Sequence, residues 1–322
     1  MDIQDITSAQ ERIAGHVRRT PLHRSDTLSA RLKTNVYVKY ELFQKTGSFK
    51  ARGAFNKMIG MTEAERAAGV VAVSGGNHAQ AVAYASSVLG VEAIIVMPDN
   101  TPENYLAATR GYGAEIILES SIAGAFARAA ALQSEGRIFL HPFDDDELMA
   151  GQGTVGLEIV EDLPDVTDVI VSIGGGGLAG GVSQAVKSLR PHTRVWGVET
   201  VGADAMSQAL TAGHPIELAA ITSIAKTLGA PSVSVRTLRL AQQNLEEVVV
   251  VPDSEAVKEL YFIAERLKVL TEPAASCTLA AAERLRANFS ADSNVVLILC
   301  GGNTSISNIC DYRQMLDSNN VR

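Results

Sequence analysis

From residue 69 onward the chain alternates short apolar, β-branched runs with longer amphipathic stretches. "VVAVS" gives way to "HAQAVAYASSVLG", "EAIIVMP" to "ENYLAATRGYG", "AEIILE" to "AGAFARAAALQSE", and "RIFLHP" follows. The pattern resumes with "VTDVIVSI", "TRVWGVE", "LEEVVVVP" and "SNVVLILC", each followed by a helical stretch. Apolar strands without in/out alternation, separated by helices, predict an α/β protein with open, twisted, mostly parallel sheets covered by helices on both faces. Two such units are expected. The stretch "FDDDELMAGQGTVG" lies between them as a boundary, and Asp144, Asp145 and Asp146 read there as a capped, solvated helix start rather than a binding cluster.

Composition narrows the classes. With 322 residues and 46% apolar content the chain can bury a sizeable core. A net charge of −8 with scattered lysines and arginines predicts no nucleic-acid partner. No apolar run approaches the roughly 20 residues of a membrane span, and the acidic N-terminus carries no apolar export segment, so the expected location is the cytoplasm. Three cysteines, Cys277, Cys300 and Cys310, with no CxxC spacing, agree with a reducing compartment and argue against a zinc site.

The chemistry is expected where strands end and loops are free to specialise. "SGGNHAQ", residues 74–80, follows a strand and opens a helix, which suits an anion the size of a carboxylate; the plainer alternative is a tight turn capped by Asn77. "GGGGLAGG", residues 174–181, is a stronger anion cradle, most naturally for a phosphate. Its Gly175, Gly177 and Gly180 also satisfy GxGxxG, with Glu199 closing the next strand, so an NAD-dependent oxidoreductase is one reading. That reading leaves Lys50 without a task. Lys50 sits in "KTGSFKARGAFNKM", between Phe49 and small residues, where strand gives way to helix. A lysine, a phosphate cradle and a carboxylate cradle together are what an amino acid held as an imine of pyridoxal phosphate needs, given an amine of lowered pKa.

These segments resemble the pyridoxal-phosphate-dependent threonine and serine dehydratases, the fold-type-II group that includes serine racemase and is tryptophan synthase β-like in fold. The resemblance is carried by "TPL" (20–22), "FQKTGSFKARGA" (43–54), "SGGNHAQAVAYA" (74–85), "MPDNTP" (97–102), "AGQGT" (150–154), "GGGGLAGG" (174–181), "EPAA" (272–275) and "CGGN" (300–303), in family order over nearly the whole chain. It implies a large cofactor-binding domain of residues 1–65 and 146–322, a small domain of residues 66–145, and a homodimer. It implies that Lys50 binds pyridoxal 5'-phosphate covalently and serves as general base, with Phe49 against the ring and Asn77 on the ring hydroxyl. Ser74, Gly75 and His78, with Asn77, would receive the substrate carboxylate. Gly174, Gly175, Gly176, Gly177 and Leu178 would hold the phosphate. Cys300 would face the pyridine nitrogen as a neutral group, favouring elimination over a long-lived carbanion.

The implied reaction converts L-threonine or L-serine to 2-oxobutanoate or pyruvate plus ammonia. Family racemases carry a serine where Gly75 stands, which lowers the expectation of racemisation. Biosynthetic threonine dehydratases carry a C-terminal regulatory domain; only a short tail follows "CGGNTS" here, so feedback control of that kind is not expected. A structural Mg²⁺ or Ca²⁺ site is implied at Glu199 and Ala203, but its third position holds Ala205, with Asp204 one residue early. "SIAKTLGAPSVS", 223–234, stands where many dehydratases read "ADGL", leaving 3-hydroxyaspartate and phenylserine open as substrates.

Overall fold

The structure is a computed structural model that describes residues 1–319, with side chains through residue 314. Its ten strands are β1 (Leu22–Arg24), β2 (Asn35–Lys39), β3 (Val70–Val73), β4 (Ala93–Pro98), β5 (Glu115–Glu119), β6 (Ile138–Phe139), β7 (Asp168–Ser172), β8 (Arg194–Thr200), β9 (Glu247–Val251) and β10 (Asn294–Ile298). They form a six-stranded sheet of order β1-β2-β10-β7-β8-β9 and a four-stranded sheet of order β5-β4-β3-β6. All pairings are parallel except β1 with β2. The smaller sheet uses only the stretch 70–139; the larger one draws strands from both sides of it.

Central strands are apolar because helices cover both faces of each sheet. Every residue of β3, β7 and β10 is buried, whereas β5, at an edge, exposes Glu115 and Leu118. Every strand expected from the periodicity is present; β1, too short for a period, was not anticipated.

The stretch "FDDDELMAGQGTVG", between the last strand of the small sheet and the return to the large one, opens one buried helix, Asp146–Asp162. Asp145 caps it, its Oδ1 accepting the Leu148 N–H at 2.9 Å, as the reading of the acidic run required. Glycines let this helix approach its two neighbours closely. A Cβ on Gly151 would fall 2.6 Å from the Arg52 carbonyl oxygen in the Lys50–Gly60 helix, and one on Gly156 would fall 2.8 Å from the Val182 carbonyl oxygen in the Gly177–Leu189 helix. The helix that begins at Lys50 and the helix that follows the four-glycine turn are thus held to a common partner.

A buried charge network fixes the first of them. Arg52 donates to Glu41 Oε1 and Oε2, both at 2.8 Å, and to Glu158 Oε1 at 2.7 Å, while Lys39 Nζ reaches Glu158 Oε2 at 2.6 Å. All four side chains are essentially removed from solvent, and the flanking cations hold Glu158 below the usual carboxylate range despite the desolvation that opposes it.

Candidate active site

Three strand-end turns, after β3, β7 and β10, open onto one cavity of about 540 Å³ between the sheets. Phe49, Lys50, Ser74, Gly75, Asn77, His78, Gly174, Gly175, Gly176, Gly177, Leu178 and Cys300 all line it.

Lys50 is the first residue of its helix and is half-buried in the cavity wall. Its Nζ donates to the Pro142 carbonyl at 2.5 Å and lies 5.3 Å from the Phe49 ring centroid. Desolvation draws its pKa down to about 8. No carboxylate pairs with it among the described residues. An amine so placed is free base over an accessible pH range, as a lysine nucleophile requires.

The turn after β3 is built around backbone. Gly76, not Asn77, occupies the cap position of the Asn77–Leu89 helix, so the capping alternative for Asn77 does not hold. The Asn77 side chain instead reaches across the cleft: Nδ2 donates to Glu272 Oε1 at 2.9 Å, and Oδ1 accepts from Asn303 Nδ2 at 2.7 Å. His78 turns away from the carboxylate turn. Its Nε2 donates to the Leu140 carbonyl at 3.0 Å, and burial with Lys50 nearby pulls its pKa down to about 3, so the ring is neutral. Only the His78 backbone remains for an anion. Gly75 is crowded by Thr101, whose Oγ1 would lie 2.8 Å from an added Cβ.

The turn after β7 requires glycine. Gly176 has φ of +93°, and a Cβ there would meet Thr237 at 2.8 Å; a Cβ on Gly174 would meet the Leu228 backbone at 3.2 Å, and one on Gly175 would clash with the Phe143 ring at 2.1 Å. What remains is bare backbone at the N-terminus of the Gly177–Leu189 helix, a cradle for a dianionic phosphate. Cys300 closes the third side. Its thiol lies 3.6 Å from the Ala274 carbonyl, and burial pushes its pKa well up, so it is a neutral group. Lysine, glycine cradle and neutral thiol together fit pyridoxal phosphate.

Glu199 does not fit the proposed cation site. Its two oxygens accept the Met206 and Ser207 N–H groups at 2.9 and 2.8 Å, capping the Ala205–Ala212 helix, and burial raises its pKa to about 8. Ala203 is buried and its amide donates to Thr200. No cluster of three or more His, Cys, Asp or Glu side chains suited to a metal occurs among the described residues. Each Glu199 oxygen is already spent in part on capping a helix, and the site beside the four-glycine turn is shared with Lys50 and Cys300, which the NAD reading leaves without a task.

Glu272, Thr227, Tyr105 and Asn303 also line the cavity and were not assigned from sequence. Glu272 carried a signal, since "EPAA" was among the matching motifs, yet a Glu before Pro at a helix start reads as an ordinary cap. It is not one: its side chain makes no capping bond and points to Asn77 and Thr227.

Comparison with known proteins places the chain. The family model described as pyridoxal-phosphate dependent enzyme matches residues 13–301, and the chain belongs to that family. It is similar to the catabolic L-threonine dehydratase TdcB of Escherichia coli K12, 37% identical over 98% of this chain and 97% of that one. It is likewise similar to phenylserine dehydratase of Ralstonia pickettii, 40% identical over 94% of this chain and 93% of that one. Among solved structures, maize serine racemase superposes with a TM-score of 0.92 at 35% identity, covering 100% of this chain and 99% of that one. The fold is therefore the fold-type-II arrangement expected from the motifs. Among the described residues no helix is long and apolar enough to cross a membrane.

Proposed function

We propose that the protein is an ammonia-lyase that dehydrates L-threonine or L-serine, giving 2-oxobutanoate or pyruvate plus ammonia. The observation that carries this is Lys50: a cavity-wall amine with its pKa drawn to about 8, at the meeting point of three strand-end turns. The similarity to the E. coli threonine dehydratase over almost the full length of both chains supports the same reading.

Pyridoxal phosphate, when bound, supplies the electron sink that acidifies the Cα–H of an amino acid joined to it. The chain supplies the rest. The amides of Gly174 to Leu178 hold the phosphate, and the Ser74–His78 backbone turn receives the substrate carboxylate. Lys50 Nζ, as the free amine, would accept the Cα proton. The β-hydroxyl leaves as water with one added proton, and hydrolysis of the resulting enamine's imine form consumes one water and frees ammonia. Cys300, neutral, gives the pyridine nitrogen no anionic partner to stabilise a proton there. In this reading residues 66–145 are a small domain beside a large cofactor-binding domain of residues 1–65 and 146–322, in a cytoplasmic homodimer.

A second reading has its own observation. Ile122 and Phe126, on one face of the Ile122–Ser134 helix, line the cavity while 43% and 36% exposed, with Tyr105 and Ile221 also in the lining. This apolar wall favours a larger β-substituent, the class named for the Ralstonia relative. The test is ammonia and 2-oxo acid release by the cofactor-loaded protein from L-threonine, L-serine, phenylserine and 3-hydroxyaspartate. Threonine turnover at least equal to the others is expected. A kcat/KM for phenylserine about 10-fold above threonine, some 1.4 kcal/mol of preference, moves the assignment to the second reading.

A further inference from the structure

Asn77 is held from both ends of its amide. Asn303 sets one end: its Nδ2 donates to the Thr46 carbonyl at 2.8 Å, a group that only accepts, and to Asn77 Oδ1 at 2.7 Å. Glu272 sets the other, its Oε1 accepting Asn77 Nδ2 at 2.9 Å. The same oxygen accepts Thr227 Oγ1 at 3.1 Å. Oε2 makes no well-aligned hydrogen bond, burial raises the pKa to about 7 although the Asn303 backbone N–H is close enough to favour the charged form, and no ion pair among the described residues neutralises the carboxylate. Gly301 makes room for it, since a Cβ there would fall 2.7 Å from Oε1. An acid 3% exposed, held by neutral donors alone and with no cation, is costly to the fold.

We propose that Glu272 is a positioning residue: it holds the Asn77 amide with one Nδ2 hydrogen turned to the ring hydroxyl of pyridoxal phosphate. Through Thr227 it keeps that turn in register with the Lys226–Leu228 loop on the other side of the cleft. The proposal rests on the cofactor reading given above and adds Glu272 and Thr227 to it. With Asn77 Oδ1 and one Nδ2 hydrogen already engaged, the second Nδ2 hydrogen is the amide's remaining donor. Removing Glu272 frees the amide to turn and present that donor elsewhere.

A double-mutant cycle on the holoenzyme decides the matter, read as the cofactor dissociation constant and the position of the visible absorption band. Glu272→Gln is expected to weaken cofactor binding about 10-fold, the scale of one hydrogen bond to a charged group, and to move the band to shorter wavelength. Asn77→Ala should do at least as much, and the double variant should match Asn77→Ala within about twofold. Thr227→Val should give a smaller loss of the same kind. An E272Q holoenzyme with unchanged binding and band overturns the proposal, and so do losses that multiply in the double variant, because Glu272 then acts independently of Asn77. A band that forms without ammonia release from any hydroxy amino acid sinks the substrate reading alone, and the cycle still decides the role of Glu272. A wild-type protein that develops no band with pyridoxal phosphate removes both.

Discussion

Lys50 shows how one residue's surroundings set its chemistry. Burial favours the neutral amine, and the folded pKa of about 8 sits below the ordinary lysine value. Only the free base attacks an aldehyde, so the rate at which the cofactor-free protein captures pyridoxal phosphate should rise about tenfold per pH unit below 8 and level off above it. Stopped-flow absorbance across pH 6–10 measures this, and a continued rise toward pH 10 would show an unperturbed lysine. At Gly75, Thr101 fills the space a side chain would need. Gly75→Ser should therefore lower folding stability by about 1–3 kcal/mol through overpacking, and Thr101→Ala in the same chain should restore most of it, as read from denaturant midpoints. Gly75 was visible in the sequence because it lies in a glycine-bearing turn at a strand end, and Lys50 because it follows a strand among small residues and the NAD reading left it without a task. Glu272 was not assigned, because its task depends on Asn77, 195 positions away, and on Thr227, and no local pattern encodes that meeting.

At the scale of elements, the strands were legible because burial on both faces writes uninterrupted apolar runs. The start of the Asp146–Asp162 helix was legible in its acidic cap, but its length and burial were not, because Gly151, Gly153 and Gly156 each carry a helix penalty of roughly 1 kcal/mol. Tertiary contact explains them, since every one is pressed against a neighbouring helix. The Lys50–Gly60 helix depends on the charges beneath it. Arg52→Met leaves Glu41 and Glu158 facing each other's surroundings with only Lys39 to offset them, and should cost about 3–5 kcal/mol. Chemical denaturation measures the loss. A near-neutral result would mean that both carboxyls take up protons at little cost.

For the whole molecule, the site lies between two sheets, each contributing at least one wall, so the cofactor binds only the assembled fold. Saturation should stabilise the protein by about 2.7 kcal/mol at 100 times the dissociation constant. A thermal melt with and without pyridoxal phosphate checks this, and Lys50→Ala should lose most of the shift while keeping the melting temperature of the cofactor-free protein. Phe143 is one place where the two halves meet: it follows β6 of the small sheet, and its ring occupies the space above Gly175 in the turn after β7 of the large one. The two positions are consequently epistatic. A side chain at 175 would collide with the Phe143 ring as it stands, its Cβ falling 2.1–2.4 Å from three ring atoms. A lineage can leave glycine at 175 only by first accepting a smaller residue at 143. In a library randomised at both sites, survivors should therefore be correlated, with every non-glycine at 175 accompanied by a small partner at 143.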